Sequence, residues 1–501
     1  MRARHPSIGR WWFQRTVILI SSGALALGLV GVPGGVAATS GATQRYLVLF
    51  AGTYALDGSY ALGGDYALNH AYALEIVRVA GGTVSNDLSK QIGVMVVESS
   101  NDQFYALLKS DALVEEIGQD WRWQGFGPPG APTPEPATDP AESLQWDMQM
   151  IRADQAHDTQ GGRPEVQVGV LDSGIDGRHP DFMKDGLSNV DCAKGHNSVS
   201  FLPEGPGIGS PDPCTDNQFH GTHVAGTIAA RANGLGVVGV APNVTLVPVK
   251  ACDASGYCYA SAVVDAITYA GDEQFEVINM SFFVDDNEFQ QSTEFKCTSD
   301  PTQRAFRRSV ERALQYARSR GVVPVAALGN SDQDLANPVD ENGNPIDNEC
   351  EVVPAESSGV IGTMALGARS EKARYSNYGN SVVDVAAPGG NGTTGDCRTT
   401  ILSTIPGGLY ACIQGTSMAS PHAAGVAALI VSQFGHLGGD GDWKMSVTKV
   451  ESILQSTAVD IGLPGYDECF GNGRIDALRA VTHDTAKVYD ASAPFCPEYS
   501  D

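Results

Sequence analysis

Between residues 166 and 327 the chain alternates short, almost wholly apolar runs with longer segments of helical period. Val166-Gln167-Val168-Gly169-Val170-Leu171 reads as a strand entering Asp172, and 221–231 as a helix. Further strands are expected at 244–249, at Val277-Ile278-Asn279-Met280 and at 322–327, with helices at 260–270 and 302–320 between them. Strands apolar on both faces need cover on both faces, and strands separated by helices run parallel. The pattern predicts an α/β fold, a three-layer sandwich with a mainly parallel sheet between helices. Ligands of such sheets gather beyond the strand C-termini. Asp172, Ser281 and Asn330 each stand just past a predicted strand.

In Gln414-Gly415-Thr416-Ser417-Met418-Ala419-Ser420-Pro421-His422 a small-residue turn delivers Ser417 into the apolar run 423–430. That run reads as a helix packed on most sides, with Pro421 in its first turn. A serine at a helix start is by itself an N-cap. As a nucleophile it needs a base, a group that orients the base, and donors for an oxyanion. Asp172 ends an apolar strand, His220 opens His220-Gly221-Thr222-His223-Val224-Ala225-Gly226-Thr227, and Asn330 closes Ala327-Leu328-Gly329-Asn330. Each alone is at home in a turn or a cap. Together they are the parts of a charge-assisted triad with an amide donor.

On these segments, together with Asp172-Ser173-Gly174-Ile175-Asp176 and Asn279-Met280-Ser281, the chain resembles the subtilisin-like serine proteases, the subtilases. The order Asp, His, Asn, Ser across about 142–485 is theirs, and differs from that of chymotrypsin-like proteases and α/β-hydrolases. The resemblance implies that Asp172, His220 and Ser417 form the triad and that Asn330 and the Ser417 N–H hold the oxyanion. His223 becomes a packing residue. Ser255 and Gly256 match the strand that pairs with an extended substrate. Ser281, Phe282 and Phe283, with Ala327, Leu328 and Gly329, match the walls of the pocket for the residue before the scissile bond (P1). The family usually has glycine where this chain has Phe283, a ring that narrows or caps the pocket. Glu142, Asp181 and Asn233 stand where the family holds a structural calcium. No cofactor is expected for catalysis. Two other readings are a maturation protease dedicated to one peptide partner and a catalytically silent secreted binding protein.

Upstream, Arg2, Arg4, Arg10 and Arg15 precede an apolar run from Val17 to about Val30 and then small residues to Ala38. The apolar stretch falls short of the roughly 18–20 residues that span a bilayer, so 1–38 reads as a signal peptide. Residues 39–124 read as a small α+β domain, with strands at 45–50 and 93–98 and helices at 73–79 and 102–110. The resemblance makes it an inhibitory, folding-assisting propeptide, the chain's own intramolecular partner. A hexad repeat, Tyr54-Ala55-Leu56, Tyr60-Ala61-Leu62, Tyr66-Ala67-Leu68 and Tyr72-Ala73-Leu74, reads as a low-complexity loop insertion. Residues 125–141 carry Pro128-Pro129-Gly130-Ala131-Pro132-Thr133-Pro134-Glu135-Pro136 and form a linker to a catalytic domain at 142–501.

A formal charge of -26 argues against nucleic acid and anionic membranes as partners. It leaves protein or peptide substrates and suits a soluble, secreted monomer without a membrane anchor. Ten cysteines in an exported chain point to disulfides. Reading them as neighbours pairs 192 with 214, 252 with 258, 297 with 350, 397 with 412 and 469 with 496.

Overall fold

Seven parallel strands run through the middle of the structure, a computed structural model that describes residues 42–54, 60–61, 66–125, 141–201, 209–283, 300–339, 344–345, 352–438, 443–494 and 496. All of these lie in one unit, residues 41–501. Ahead of that sheet stand β1 (Gln44–Phe50), α1 (Tyr66–Val79), β2 (Gly82–Leu88), β3 (Val94–Ser99), α2 (Phe104–Lys109), β4 (Val114–Gln119) and β5 (Arg122–Gln124). The central sheet is built from β6 (Gln167–Asp172), β7 (His196–Asn197), β8 (Thr245–Lys250), β10 (Val277–Met280), β11 (Val323–Ala327), β12 (Ile361–Leu366) and β13 (Val385–Pro388). Its order is β7-β8-β6-β10-β11-β12-β13. Strand β6 sits inside, Val168 being flanked by Leu246 and Val277.

Both faces are covered, as the apolar strands require. Val168 and Val170 point into a core shared with α3 (His220–Ala229), α6 (Thr416–Phe434) and α7 (Val447–Ser456). Leu171 points the other way, into a core shared with α4 (Ala260–Asp272) and α5 (Pro301–Ser319). The small residues of α6 let it run close to the chain around it. A Cβ on Gly425 would lie 2.6 Å from the Cβ of Val240.

Strands β1 to β4 form an antiparallel sheet of order β2-β3-β1-β4. Strict alternation divides β1 between two cores. Tyr46, Val48 and Phe50 pack with Ala73 and Val77 of α1 and with Phe104 and Leu108 of α2, while Leu47 and Leu49 join the core of α4 and α5. The expected α+β domain is therefore present and its sheet rests directly on the larger body. Two short antiparallel ribbons complete the part near the site: β9 (Tyr257–Tyr259) pairs with β5, and β14 (Ile401–Ile405) pairs with β15 (Leu409–Ile413).

Two expectations are corrected. The third and fourth hexad copies belong to α1, not to a loop; Ala73 and Val77, four apart, set its buried face, whereas a six-residue spacing walks around a helix. Tyr54 and Tyr60 lie in two short paired strands, and Leu56 and Leu62 fall outside the described residues. Pro421 lies in the interior of α6, past its first turn. Strands β2, β4, β12 and β13 and the β14–β15 ribbon were not anticipated. Of the cysteine pairs, 192–214, 252–258, 397–412 and 469–496 are bonded, and the fifth falls outside the described residues. Among the described residues no helix is long and apolar enough to cross a membrane.

Candidate active site

Strand β6 ends on Asp172 and helix α3 begins on His220, which brings the two side chains together. His220 Nδ1 lies 3.0 Å from both carboxylate oxygens of Asp172, and the Ser173 N–H donates to Asp172 Oδ1 at 2.8 Å. Complete burial pushes the Asp172 carboxyl up from its usual range, and the neighbouring imidazole and the Ser173 N–H oppose that shift. Gly221 is required at this joint, since a Cβ there would lie 2.1 Å from the Gly174 carbonyl and 3.1 Å from Asp172 Oδ1.

Asp216, four residues before His220, was missed in the sequence and organises the approach to it. Its Oδ1 accepts from Ser173 Oγ (3.0 Å) and from the N–H groups of Gln218 and Phe219 (2.9 Å each). Its Oδ2 accepts from the Thr222 N–H (2.9 Å) and Thr222 Oγ1 (2.7 Å). Phe219 stands at φ 96°, an unfavourable conformation for a bulky residue. The bonds to Asp216 hold it there. The signal was an acidic residue just upstream of a helix start, where carboxylates cap.

Ser417 is the second residue of α6 and is nearly buried. Its hydroxyl donates to the Ser281 carbonyl at 2.9 Å. Pro421 has no N–H for the carbonyl four residues back, which is that of Ser417. Ser281 Oγ donates to that carbonyl instead, at 2.9 Å, and Asn279 Nδ2 donates to Ser281 Oγ at 2.8 Å. The proline inside the helix is thus compensated by the wall residue facing it. His422, a turn further on, sets Nδ1 on the Met418 carbonyl (2.7 Å) and Nε2 on Asp147 Oδ2 (3.0 Å). With an acceptor at each ring nitrogen, this buried pair ties the segment after 141 to the nucleophile helix.

Asn330 Oδ1 accepts from the Thr416 N–H and Thr416 Oγ1, both at 2.9 Å, which turns its Nδ2 outward. A Cβ on Gly415 would lie 3.6 Å from Asn330 Nδ2 and 3.6 Å from the Ser417 nitrogen. Both nitrogens therefore lie beside Gly415, where the absence of a side chain leaves room. Asn377, also missed, braces this loop. Its Nδ2 donates to the Leu328 carbonyl (3.0 Å) and its Oδ1 accepts from the N–H groups of Ser331 and Gln333.

Ala327 ends β11, Leu328 is buried, the Gly329 N–H donates to Thr416 Oγ1 at 3.1 Å, and Ser281 is hydrogen-bonded to Ser417, while Phe283 is half-buried. A Cβ on Gly329 would lie 3.3 Å from the Phe283 ring. Ser255 and Gly256 lie on the turn before β9, where the Gly125 N–H donates to the Gly256 carbonyl at 2.9 Å. His223 is buried, its Nε2 between the carbonyls of Ile401 (3.2 Å) and Ala411 (3.1 Å), and burial pushes its pKa down to about 3. It is neutral and structural.

Of the residues that the resemblance offers to calcium, Asp181 and Asn233 are engaged by groups of the chain itself. Asn233 Oδ1 accepts from the Leu235 N–H, while its Nδ2 donates to the carbonyls of Pro180 and Met183. Asp181 Oδ2 accepts from the Val237 N–H. A Cβ on Gly236 would meet the Tyr410 hydroxyl at 2.1 Å and Asp181 Oδ2 at 2.4 Å, so the tyrosine closes over the loop. The Glu142 side chain falls outside the described residues. Calcium takes about six to eight oxygens, and among the described residues no three His, Cys, Asp or Glu side chains gather.

Residues 163–473 match the subtilase family. The chain is 33% identical over 341 residues to Subtilisin NAT of Bacillus subtilis subsp. natto, covering 68% of this chain and 72% of that protein. It is 33% identical over 341 residues to a subtilisin of Bacillus pumilus, covering 68% of this chain and 99% of that one. The fold is similar to that of the epidermin leader peptide processing serine protease from Staphylococcus aureus, with a TM-score of 0.66 and 21% identity over 89% of this chain and 99% of that one.

Proposed function

The chain belongs to the subtilase family, and on that premise we propose that it is a secreted serine endopeptidase made as a self-processing zymogen. It is a serine-type peptidase, a family that acts on protein or peptide substrates and needs no cofactor for catalysis.

The observation that carries the reading is the Asp172–His220 pair, whose two 3.0 Å contacts both use Nδ1. Nδ1–H donates to the carboxylate, so Nε2 is the nitrogen left to take a proton. Ser417 Oγ bonds to the scissile carbonyl carbon as His220 Nε2 takes its proton. Asn330 Nδ2 and the Ser417 N–H stabilise the oxygen that becomes negative. The C–N bond then breaks, His220 returns the proton to the leaving amine, and water resolves the acyl-enzyme by the same steps in reverse order. Asp172 orients the ring and stabilises the imidazolium.

Processing is supported by the way 42–125 lies on the rest of the chain. Strand β5 pairs antiparallel with β9, and Gly125 reaches Phe282, the neighbour of the Ser281 that holds Ser417. We assign 1–38 to a signal peptide, 39–124 to the propeptide, 125–141 to a linker and 142–501 to the catalytic domain; Gly125 itself still follows the strand. Four disulfides suit an oxidising, extracellular destination. Phe283 against Gly329 favours a second, narrower reading, a maturation protease with a restricted P1 residue.

A fluorophosphonate probe tests the nucleophile: the native protein takes the label and Ser417→Ala does not. N-terminal sequencing of both tests the zymogen, with maturation expected in the native chain alone. Equal labelling of the two proteins sinks the enzyme reading, and equal maturation sinks self-processing.

A further inference from the structure

An aromatic cluster that the triad chemistry leaves unused lies around Trp121, Trp123 and Phe306. Resting on the propeptide reading above, we infer that the groove filled by Trp121 and Trp123 is an upstream recognition site of the mature protease. It selects extended peptides carrying an aromatic-basic-aromatic-x-Gly run ahead of the scissile bond.

The propeptide itself shows how such a peptide sits. Gln124, Trp123 and Arg122 stand opposite Tyr257, Cys258 and Tyr259 in antiparallel register. The Gly125 N–H donates to the Gly256 carbonyl, and the Ala260 N–H donates to the Trp121 carbonyl at 2.8 Å. Alternation sends Trp121, Trp123 and Gly125 to one side and Arg122 and Gln124 to the other.

On the inner side Trp123 is 3% exposed and its ring lies 5.0 Å from that of Phe306. Trp121 lies 5.6 Å from Trp123 and edge-on to Phe306 at 6.3 Å. The Cys252–Cys258 disulfide and Phe282 belong to the same core. At Gly125 the groove closes, since a Cβ there would lie 2.3 Å from Cys258 Sγ. The groove thus takes large rings at two positions and only glycine at a third. On the outer side the Arg122 guanidinium lies 4.6 Å from the centre of the Tyr257 ring and donates to the Tyr259 hydroxyl at 3.2 Å. Tyr259 in turn donates to Asp253 Oδ2 at 3.2 Å, so that rim suits a cation.

Phe306, Phe282, the disulfide and β9 all lie beyond residue 141 and remain when the propeptide is cut away. Among the described residues the partner strand of β9 is β5, with Cys258 also bridging Cys252 of its own turn, so removal leaves the edge that faced β5 unpaired beside an aromatic hollow. A strand edge with a side-chain pocket is a peptide-binding surface, the backbone bonds giving affinity and the pocket giving selectivity. Gly125 itself lies beside Phe282, the neighbour of the Ser281 that is hydrogen-bonded to Ser417, so a peptide held here ends close to the nucleophile.

Two quenched peptides test this on the mature protein. One reproduces residues 117–136, and the other carries Trp121→Ala and Trp123→Ala. The first should be cleaved with a kcat/KM at least about tenfold higher, the difference lying mainly in KM, as burial of two indoles implies. Phe306→Ala should erase most of that difference. Phe306→Leu, which keeps the core filled, should retain part of it and covers the case in which the alanine variant does not fold. Labelled native protein that cleaves both peptides at one rate overturns the site and leaves the protease reading standing. Protein that takes no label overturns the protease reading instead.

Discussion

Under the proposed function, selectivity turns on Phe283. A Cβ on Gly329 would lie 3.3 Å from its ring, one residue from Asn330, the proposed oxyanion donor, and on that reading the ring takes space that a bulky P1 side chain needs. The native protein is expected to prefer small P1 residues. Phe283→Gly should raise kcat/KM for aromatic P1 peptides by about tenfold or more, with little change for alanine at P1. A P1 library profiled on both proteins checks this, and identical profiles would remove Phe283 from the pocket. Asp172, His220, Asn330 and Ser417 stood out in the sequence because they occur together, at or just past the ends of strongly apolar elements, in the order of the subtilases. Asn377 and Asp147 did not, because their roles are hydrogen bonds to atoms far away in sequence, whereas most bonds of Asp216 are local and its cap position was passed over. Asp147 and His422 are 275 residues apart.

Helix α6 illustrates how an element can break a local rule at a functional position. An interior proline leaves the Ser417 carbonyl without its helical donor, and Ser281 Oγ replaces it. Ser281→Ala should cost about 1–3 kcal/mol, the range for a buried polar group left unpaired. In the Pro421→Ala background the restored N–H can serve the same carbonyl, so the second substitution should cost less than half as much. Urea unfolding of the four proteins measures the coupling, and additive losses would refute the compensation. Helix α3 has its own dependence on the β14–β15 ribbon, through His223. Its pKa of about 3 lies below the unfolded value of about 6.5, so the unfolded chain binds a proton first as the pH falls. Stability is full above about 6.5 and is lost progressively down to about 3. His223→Gln should flatten that part of the Tm-against-pH curve, and an unchanged slope would assign the acid sensitivity elsewhere. Sequence pattern located α3 to within two residues at each end, but caught only the middle of α6, the run 423–430. It missed β2, where exposed and half-buried residues alternate along a polar strand and hydrophobicity gives little contrast.

At the scale of the whole molecule, the segment we assign to a propeptide meets the rest of a strongly acidic protein through a row of arginines. Arg304, Arg308 and Arg312 line one side of α5. Glu116 accepts from Arg304 at 3.1 Å, and Glu115 accepts from Arg308 at 3.0 Å and from Arg312 at 2.7 Å. Arg312 also donates to the carbonyls of Phe50 and Ile92, so one guanidinium holds both the charge and the backbone of the propeptide. Apolar contact through Leu47, Leu49 and Val94 supplies area, and the ion pairs fix the orientation. Glu115→Arg alters only the segment that is discarded, leaving the mature protein identical. It sets three positive charges against one another and should release the cleaved propeptide sooner. The lag between appearance of the new N-terminus and full activity should shorten, and less propeptide should co-purify with the mature protein. Adding Arg308→Glu should lengthen the lag again. Because partly exposed charges are screened by salt, the difference between native and Glu115→Arg should shrink from 0.01 M to 1 M ionic strength, as the Debye length falls from about 30 Å to about 3 Å. An unaltered lag at low salt would mean that the apolar face alone retains the propeptide, and the arginine stripe would then need another role.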